Sequence, residues 1–180
     1  MKYNDIKKLV LHCTATPSFS DFHVVDIERW HKKRGFKCCG YHYVINLNGG
    51  IELGRPCNMT GAHAVRIGDK TNWFNKHSLG ICYVGGLYDG KPMSTLTDYQ
   101  ECSMMYLIFA LCDYFGLDFK RDVILHNEIA NKSCPCFDRS YYDNLVELYL
   151  NNSDVRKNYP IWFKHTPIYK NLVTAFRREV

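Results

Sequence analysis

Apolar residues fall into two kinds of run along this chain. The short uninterrupted runs Leu9-Val10-Leu11, Leu79 to Val84 and Val123-Ile124-Leu125 predict buried strands. Elsewhere apolar positions recur at helical spacing. Val24, Ile27 and Trp30 predict a helix over Val24 to Arg34, closed by Gly35. The stripe Met104, Leu107, Ile108, Leu111 and Phe115 predicts a core-packed helix over Thr97 to Phe115. Thr97 and Gln100 form a capping box at its start and Gly116 stops it. Leu145, Leu148 and Leu150 predict a further helix near Tyr141 to Leu150. Tyr41 to Leu47 is aromatic and β-branched, and Asn48-Gly49-Gly50 then leads into Ile51-Glu52-Leu53, the pattern of a hairpin. Thr14 to Asp21 reads as a polar loop, and Arg55 to Lys76 as turn-rich with little regular structure. Strands and helices alternate, so the predicted fold class is α/β.

One domain is expected over 1–151, with a boundary at Asn151-Asn152-Ser153 and a short extension over 152–180. In the extension Leu172, Val173 and Phe176 predict an amphipathic helix. Tyr159, Trp162, Phe163 and Tyr169 predict that this segment packs on the domain itself. Charge sharpens the division. The chain carries +5, and Asn152 to Val180 holds six Lys or Arg against two acids, so the rest is nearly neutral. A basic tail suits an anionic polymer, but a docked, solubilising helix explains it as well, and a nucleic-acid partner is not expected.

Hydrophobic residues make up 46% of 180, enough for a core that needs no disulfide staples. The nine cysteines are odd in number and lack the spacing of a disulfide framework. Cys82, Cys102 and Cys112 read as buried apolar residues, while oxidation of Cys38, Cys39 and Cys57 is left open. Synthesis in a reducing cytoplasm is expected. Met1 to Lys8 has no apolar stretch of the kind a secretory signal requires, and no run reaches membrane-spanning length.

Two of the buried runs end in a histidine, His12 and His126. If both strands lie parallel in one sheet, the two imidazoles emerge at the same edge, where α/β folds place their sites. Cys134, eight residues beyond His126, can return to that edge on a short loop. Two imidazoles and a thiolate make a three-ligand zinc set with a fourth position open for chemistry. Taken singly, each of the three also fits a plain structural residue. Cys134-Pro135-Cys136 downstream of His126-Asn127-Glu128 lacks the Pro-Cys-x-x-Cys spacing of the nucleic-acid deaminases, and no Cys-x-x-Cys pair supports a zinc finger.

Seven segments, in order, carry a resemblance. They are Leu11-His12-Cys13-Thr14-Ala15-Thr16; Trp30-His31 through Gly35; Gly40-Tyr41-His42-Tyr43; Gly54-Arg55-Pro56; Gly61-Ala62-His63-Ala64; Ser78-Leu79-Gly80-Ile81 with Gly85-Gly86; and His126 through Cys134-Pro135-Cys136-Phe137-Asp138. The chain resembles the type 2 N-acetylmuramoyl-L-alanine amidases, which include phage endolysins and animal peptidoglycan-recognition proteins. The resemblance implies a central mixed β-sheet flanked by helices. It implies one Zn2+ per chain on His12, His126 and Cys134, and hydrolysis of the bond between N-acetylmuramic acid and L-alanine in peptidoglycan. It assigns Tyr41 to orienting the attacking water and bonding the oxyanion, and Lys132 to electrostatic stabilisation. It places His63 and Asn75 along the substrate groove. His42 and Asp138 are expected to support the site from behind, Asp138 by holding the Cys134 loop. His31 is expected to be structural. Arg55 is read either as a partner for a peptide carboxylate or as a surface residue.

The loop Val65 to Lys76 is longer than in compact phage members. The competing function is a non-catalytic peptidoglycan-binding module. Retention of Cys134, Tyr41 and Lys132 favours the enzyme. The expected setting is a phage, prophage or bacterial wall amidase, made in the cytoplasm and acting on the cell wall after release. It is expected to be a monomer without membrane insertion, with a regulatory protein partner left open.

Overall fold

The computed structural model describes residues 1–152 and 166–176. A five-stranded mixed sheet runs in the order β4-β3-β5-β1-β8. Its strands are β1 (Lys8–Cys13), β3 (Tyr43–Ile45), β4 (Ile51–Leu53), β5 (Ser78–Tyr83) and β8 (Val123–Leu125). β1 lies parallel between β5 and β8, with Leu11 opposite both Ile81 and Leu125. β3 continues the parallel set against β5 and turns back through the Gly49 hairpin into antiparallel β4. The hairpin needs its glycine, because Gly49 has φ +82°, a conformation side chains resist. A smaller sheet is formed by β2 (Thr16–Pro17), β6 (Gly86–Tyr88) and β7 (Lys91–Pro92), and its β2 lies within the Thr14 to Asp21 stretch expected to be a polar loop.

Alternation along the strands gives the sheet two faces. Leu9, Leu11, Ile45, Leu79, Ile81, Val123 and Leu125 point to one face, and there meet helix α3 (Asp98–Phe115) through Met104, Leu107, Ile108 and Leu111. α3 begins as predicted. The Gln100 N–H donates to Thr97 Oγ1 and the Thr97 N–H to Gln100 Oε1, both at 3.1 Å. The Gln100 amide also donates to the carbonyls of Ile45 and Val84, tying this helix start to the ends of β3 and β5.

Helix α4 (Arg139–Asn151) packs on the same face through Tyr142, Leu145 and Val146. Leu148, expected to pack, is 63% exposed because it lies on the far side of that 142/145/146 stripe. Helix α5 (Pro167–Phe176) buries Ile168 and Leu172 in this same core, with Tyr169 against Tyr114 and Phe176 against Phe115. Tyr159, Trp162 and Phe163 lie outside the described residues.

The opposite face is shared by a small core and the site. Val10 packs with Ala64 and Phe74, and Val44 packs with Ile27 of helix α1 (Val24–Lys33). The stretch expected to have little regular structure contains a single helical turn, α2 (Trp73–His77), which delivers Phe74 to this face. Tyr41 and His42 precede β3 proper, although the His42 N–H still donates to Gly80 O at 2.9 Å. All nine cysteines are free thiols. Among the described residues, no helix is long and apolar enough to cross a membrane.

Candidate active site

Because β1 and β8 are adjacent and parallel, His12 and His126 leave the same edge of the sheet, with ring centroids 4.4 Å apart. The chain beyond β8 turns through Asn127, whose amide donates to Phe137 O at 3.1 Å and pins the returning loop. Tyr83, rising from β5, donates its hydroxyl to Pro135 O at 2.7 Å and fixes the same loop from the sheet side. Cys134 is thereby brought to the strand end. One ligand atom from each of His12, His126 and Cys134 lies within 4.8 Å of the others.

The donor set is prepared for a cation. His12 Nδ1 faces Cys134 Sγ at 3.8 Å, and His126 Nδ1 is buried without a hydrogen-bond partner. A buried polar atom left unpaired is costly unless something absent from the protein satisfies it. Burial holds the imidazole of His12 well below the ordinary histidine range, reinforced by the neighbouring His63 and His126. Burial, then the Lys132 charge, holds His126 down at about 4. Both rings are therefore neutral near pH 7, with lone pairs available. The Cys134 thiol is lowered by hydrogen bonding from the Cys13 thiol and from the Cys13 N–H, the latter at 3.2 Å. Cys13 itself is pushed up to about 12, chiefly by its Cys134 partner. These residues fit a divalent metal that accepts nitrogen and sulfur.

Around this centre the expected residues divide. Tyr41 lies with its ring 5.1 Å from that of His12, and burial pushes its hydroxyl well above the usual range, so it stays a donor. Lys132 is exposed and lines the groove beside His126. His63 borders the groove, but its ring is also engaged from behind. Its Nδ1 is 2.9 Å from His12 Nε2. Asn75 lines the groove, but its side-chain oxygen is occupied by the N–H groups of His63 and Ala64 at 2.8 and 3.0 Å.

His42 is fully buried, accepts from the Gly80 N–H at 2.9 Å and stacks edge-on with His63. Asp138 is exposed and serves as the N-cap of α4, accepting from the Tyr141 N–H at 2.9 Å, and no hydrogen bond joins it to the Cys134 loop. Arg55 is neither at the surface nor free for a substrate. It is buried and donates to the carbonyls of Cys39 and Thr60. His31 is structural, accepting from the Gly40 N–H at 2.9 Å.

An open groove of about 830 Å³ runs from His126 and Lys132 along Gly61 to Asp69. Arg34, Arg66 and Lys70 also line it. Asp69, its carboxylate, is engaged by Thr71 and by the Trp73 N–H. Arg34, Arg66, Lys70 and Lys132 stand against this single carboxylate, which its hydrogen bonds keep ionised, so the groove carries a net positive charge.

Two features were missed in the sequence. One is the contact of Cys13 with Cys134, for which no sequence signal exists beyond its place next to His12. The other is the cradle around His63, which Gly80 signals: an isolated glycine inside a strand marks the close approach of another group.

An α/β domain whose parallel strand ends present two histidines and a cysteine to an open groove has the build of a metal-site hydrolase. The N-acetylmuramoyl-L-alanine amidase family matches residues 2–137, and the chain belongs to that family. It is 33% identical over 148 residues to the endolysin of Enterobacteria phage K11, covering 82% of this chain and 91% of that protein. With the endolysin of Escherichia phage T7 it shares 35% identity over 132 residues, 72% of this chain and 80% of that one. In structure it is similar to N-acetylmuramoyl-L-alanine amidase LysC from Clostridium intestinale URNW, with a TM-score of 0.65 and 25% identity over 81% of this chain and 89% of that one. The chain is an enzyme with the amidase activity of its family.

Proposed function

We propose that this amidase cleaves the N-acetylmuramoyl–L-alanine bond of peptidoglycan as an endolysin, with zinc held by His12, His126 and Cys134. The observation that carries the reading is the convergence of those three donor atoms within 4.8 Å, with His126 Nδ1 buried and unpaired. When bound, zinc polarises the scissile carbonyl and lowers the pKa of water, supplying a nucleophile at neutral pH.

The chain's own groups do the rest. Tyr41, kept protonated by burial, donates a hydrogen bond to the oxyanion that develops on the carbonyl. Lys132 places a cation beside the same charge, at the groove wall next to His126. Arg34, Arg66 and Lys70 attract the carboxylates of the stem peptide and hold it along the groove.

The test is mass spectrometry of purified peptidoglycan after digestion by the zinc-loaded protein. Free stem peptides with a new L-alanine amine, no new reducing sugar ends, and loss of those free peptides on chelation are expected. New reducing ends, or digestion indifferent to a chelator, would overturn the reading.

A further inference from the structure

We infer that His63 is a positioning residue for the metal centre: it accepts the Nε2–H of His12 and so fixes the ring orientation and tautomer that present His12 Nδ1 to the metal. This rests on the zinc reading above. The geometry is directional. His12 turns Nδ1 toward Cys134, at 3.8 Å, and Nε2 toward His63 Nδ1, at 2.9 Å. A histidine that binds metal through Nδ1 in its neutral form carries its proton on Nε2, and that proton needs an acceptor. His63 Nδ1 is positioned as that acceptor. The His63 proton is then on Nε2, which is buried.

The surroundings hold His63 in this place. A Cβ at Gly80 would lie 2.7 Å from His63 Cγ, and one at Gly61 would lie 2.6 Å from His63 Cδ2. The ring therefore occupies a slot that only two glycines leave open, with the His42 ring edge-on at 5.5 Å. Asn75 fixes the backbone beneath it by accepting from the His63 N–H. Asn75, His63 and His12 form one chain of hydrogen bonds leading from α2 to the metal centre. A residue meant to meet the glycopeptide would keep a ring nitrogen toward the groove. Here one nitrogen is committed to His12 and the other is buried.

The test compares zinc affinity, by competition with a chromophoric chelator, for the wild type, His63→Ala, His63→Asn and Gly80→Ala. A ligand-orienting partner is worth about 10–100-fold in metal affinity. We expect His63→Ala to weaken zinc binding within that range, with KM for a soluble muropeptide unchanged. His63→Asn, whose amide oxygen falls near the position of Nδ1, restores most of the affinity. Gly80→Ala keeps the imidazole but pushes it from its slot and weakens zinc binding as well. A raised KM with zinc affinity intact in His63→Ala would make His63 a substrate contact and overturn the inference.

Long-range 1H–15N spectra of zinc-loaded wild type give a readout independent of variant folding. They should report His12 protonated on Nε2 and His63 unprotonated on Nδ1, and the reverse on His63 overturns the inference. If the wild type binds no zinc, the metal reading fails together with this one. If the wild type binds zinc and all variants match it, only this inference fails.

Discussion

Replacing Asp122 with Asn tests how the two ligand-bearing strands are anchored. Asp122 stands immediately before β8, and its carbonyl accepts the Leu9 N–H of β1 at 2.9 Å. Its carboxylate binds Lys8, the first residue of β1, at 2.8 Å and accepts the Asp118 N–H at 3.0 Å. Arg121 adds a third contact but is largely in solvent, where such pairs contribute little. These partners, Arg121 first and then the Asp118 N–H and Lys8, hold the carboxyl well below the usual carboxylate range.

A hydrogen bond to a charged group contributes about 1.5–3 kcal/mol. Asn keeps one acceptor oxygen, so the substitution removes about one such bond, and a loss of about 2 kcal/mol at pH 7 is expected. The sign with pH follows from the depressed folded value. The contribution is complete above the unfolded Asp pKa of about 3.9 and is lost as pH falls toward the folded pKa. Urea unfolding of both proteins at pH 7, 5, 3.5 and 2.5 measures it. The gap should be constant from pH 7 to 5 and shrink below 4. Metal loss in acid is common to both proteins and cancels in the difference. A gap that persists undiminished at pH 2.5, or none at pH 7, would refute the reasoning.

Three further outcomes are expected at the site. Tyr41→Phe and Lys132→Ala should each lower kcat on peptidoglycan by about 10²–10³, the usual effect of removing one oxyanion donor, with zinc content unchanged by metal analysis. Arg66→Glu with Lys70→Glu reverses the charge of the groove; KM should rise about tenfold at low salt and converge on the wild type in 0.5 M NaCl, as screened attraction requires. Stripping the metal should expose Cys134 to alkylation near pH 8 ahead of Cys13, Cys39, Cys57, Cys82, Cys112 and Cys136, whose thiols are all pushed up, and restoring zinc should protect it. Peptide mapping by mass spectrometry reads the order of labelling.

The sequence was most legible where local physics and tertiary structure agree. Thr97, Gln100 and Gly116 mark the two ends of α3 by hydrogen bonds and backbone angles that need nothing from the rest of the chain. The two apolar triplets ending in His12 and His126 are equally direct, because a buried strand must emerge somewhere and its next residue sits at the edge. Leu148 and Arg55 were misread for the opposite reason. Whether a leucine packs, or an arginine is buried against the carbonyls of Cys39 and Thr60, depends on elements far away in sequence. The small sheet joining Thr16 to Gly86 is likewise a long-range pairing that leaves no local pattern.

His63 shows why candidate sites resist sequence reading even when every member has been noticed. Its type and its neighbourhood to the groove suggested substrate contact. Its role turns on which nitrogen faces what, and that is set by groups from three separate segments: Gly61 in the loop, Gly80 in β5 and Asn75 in α2. The glycine is the informative residue among them. Strand interiors disfavour glycine, so one placed at Gly80, between the buried Leu79 and Ile81, marks a need for space above the sheet. That space is filled by the ring that meets His12, which makes a residue with no side chain a determinant of how His12 is held.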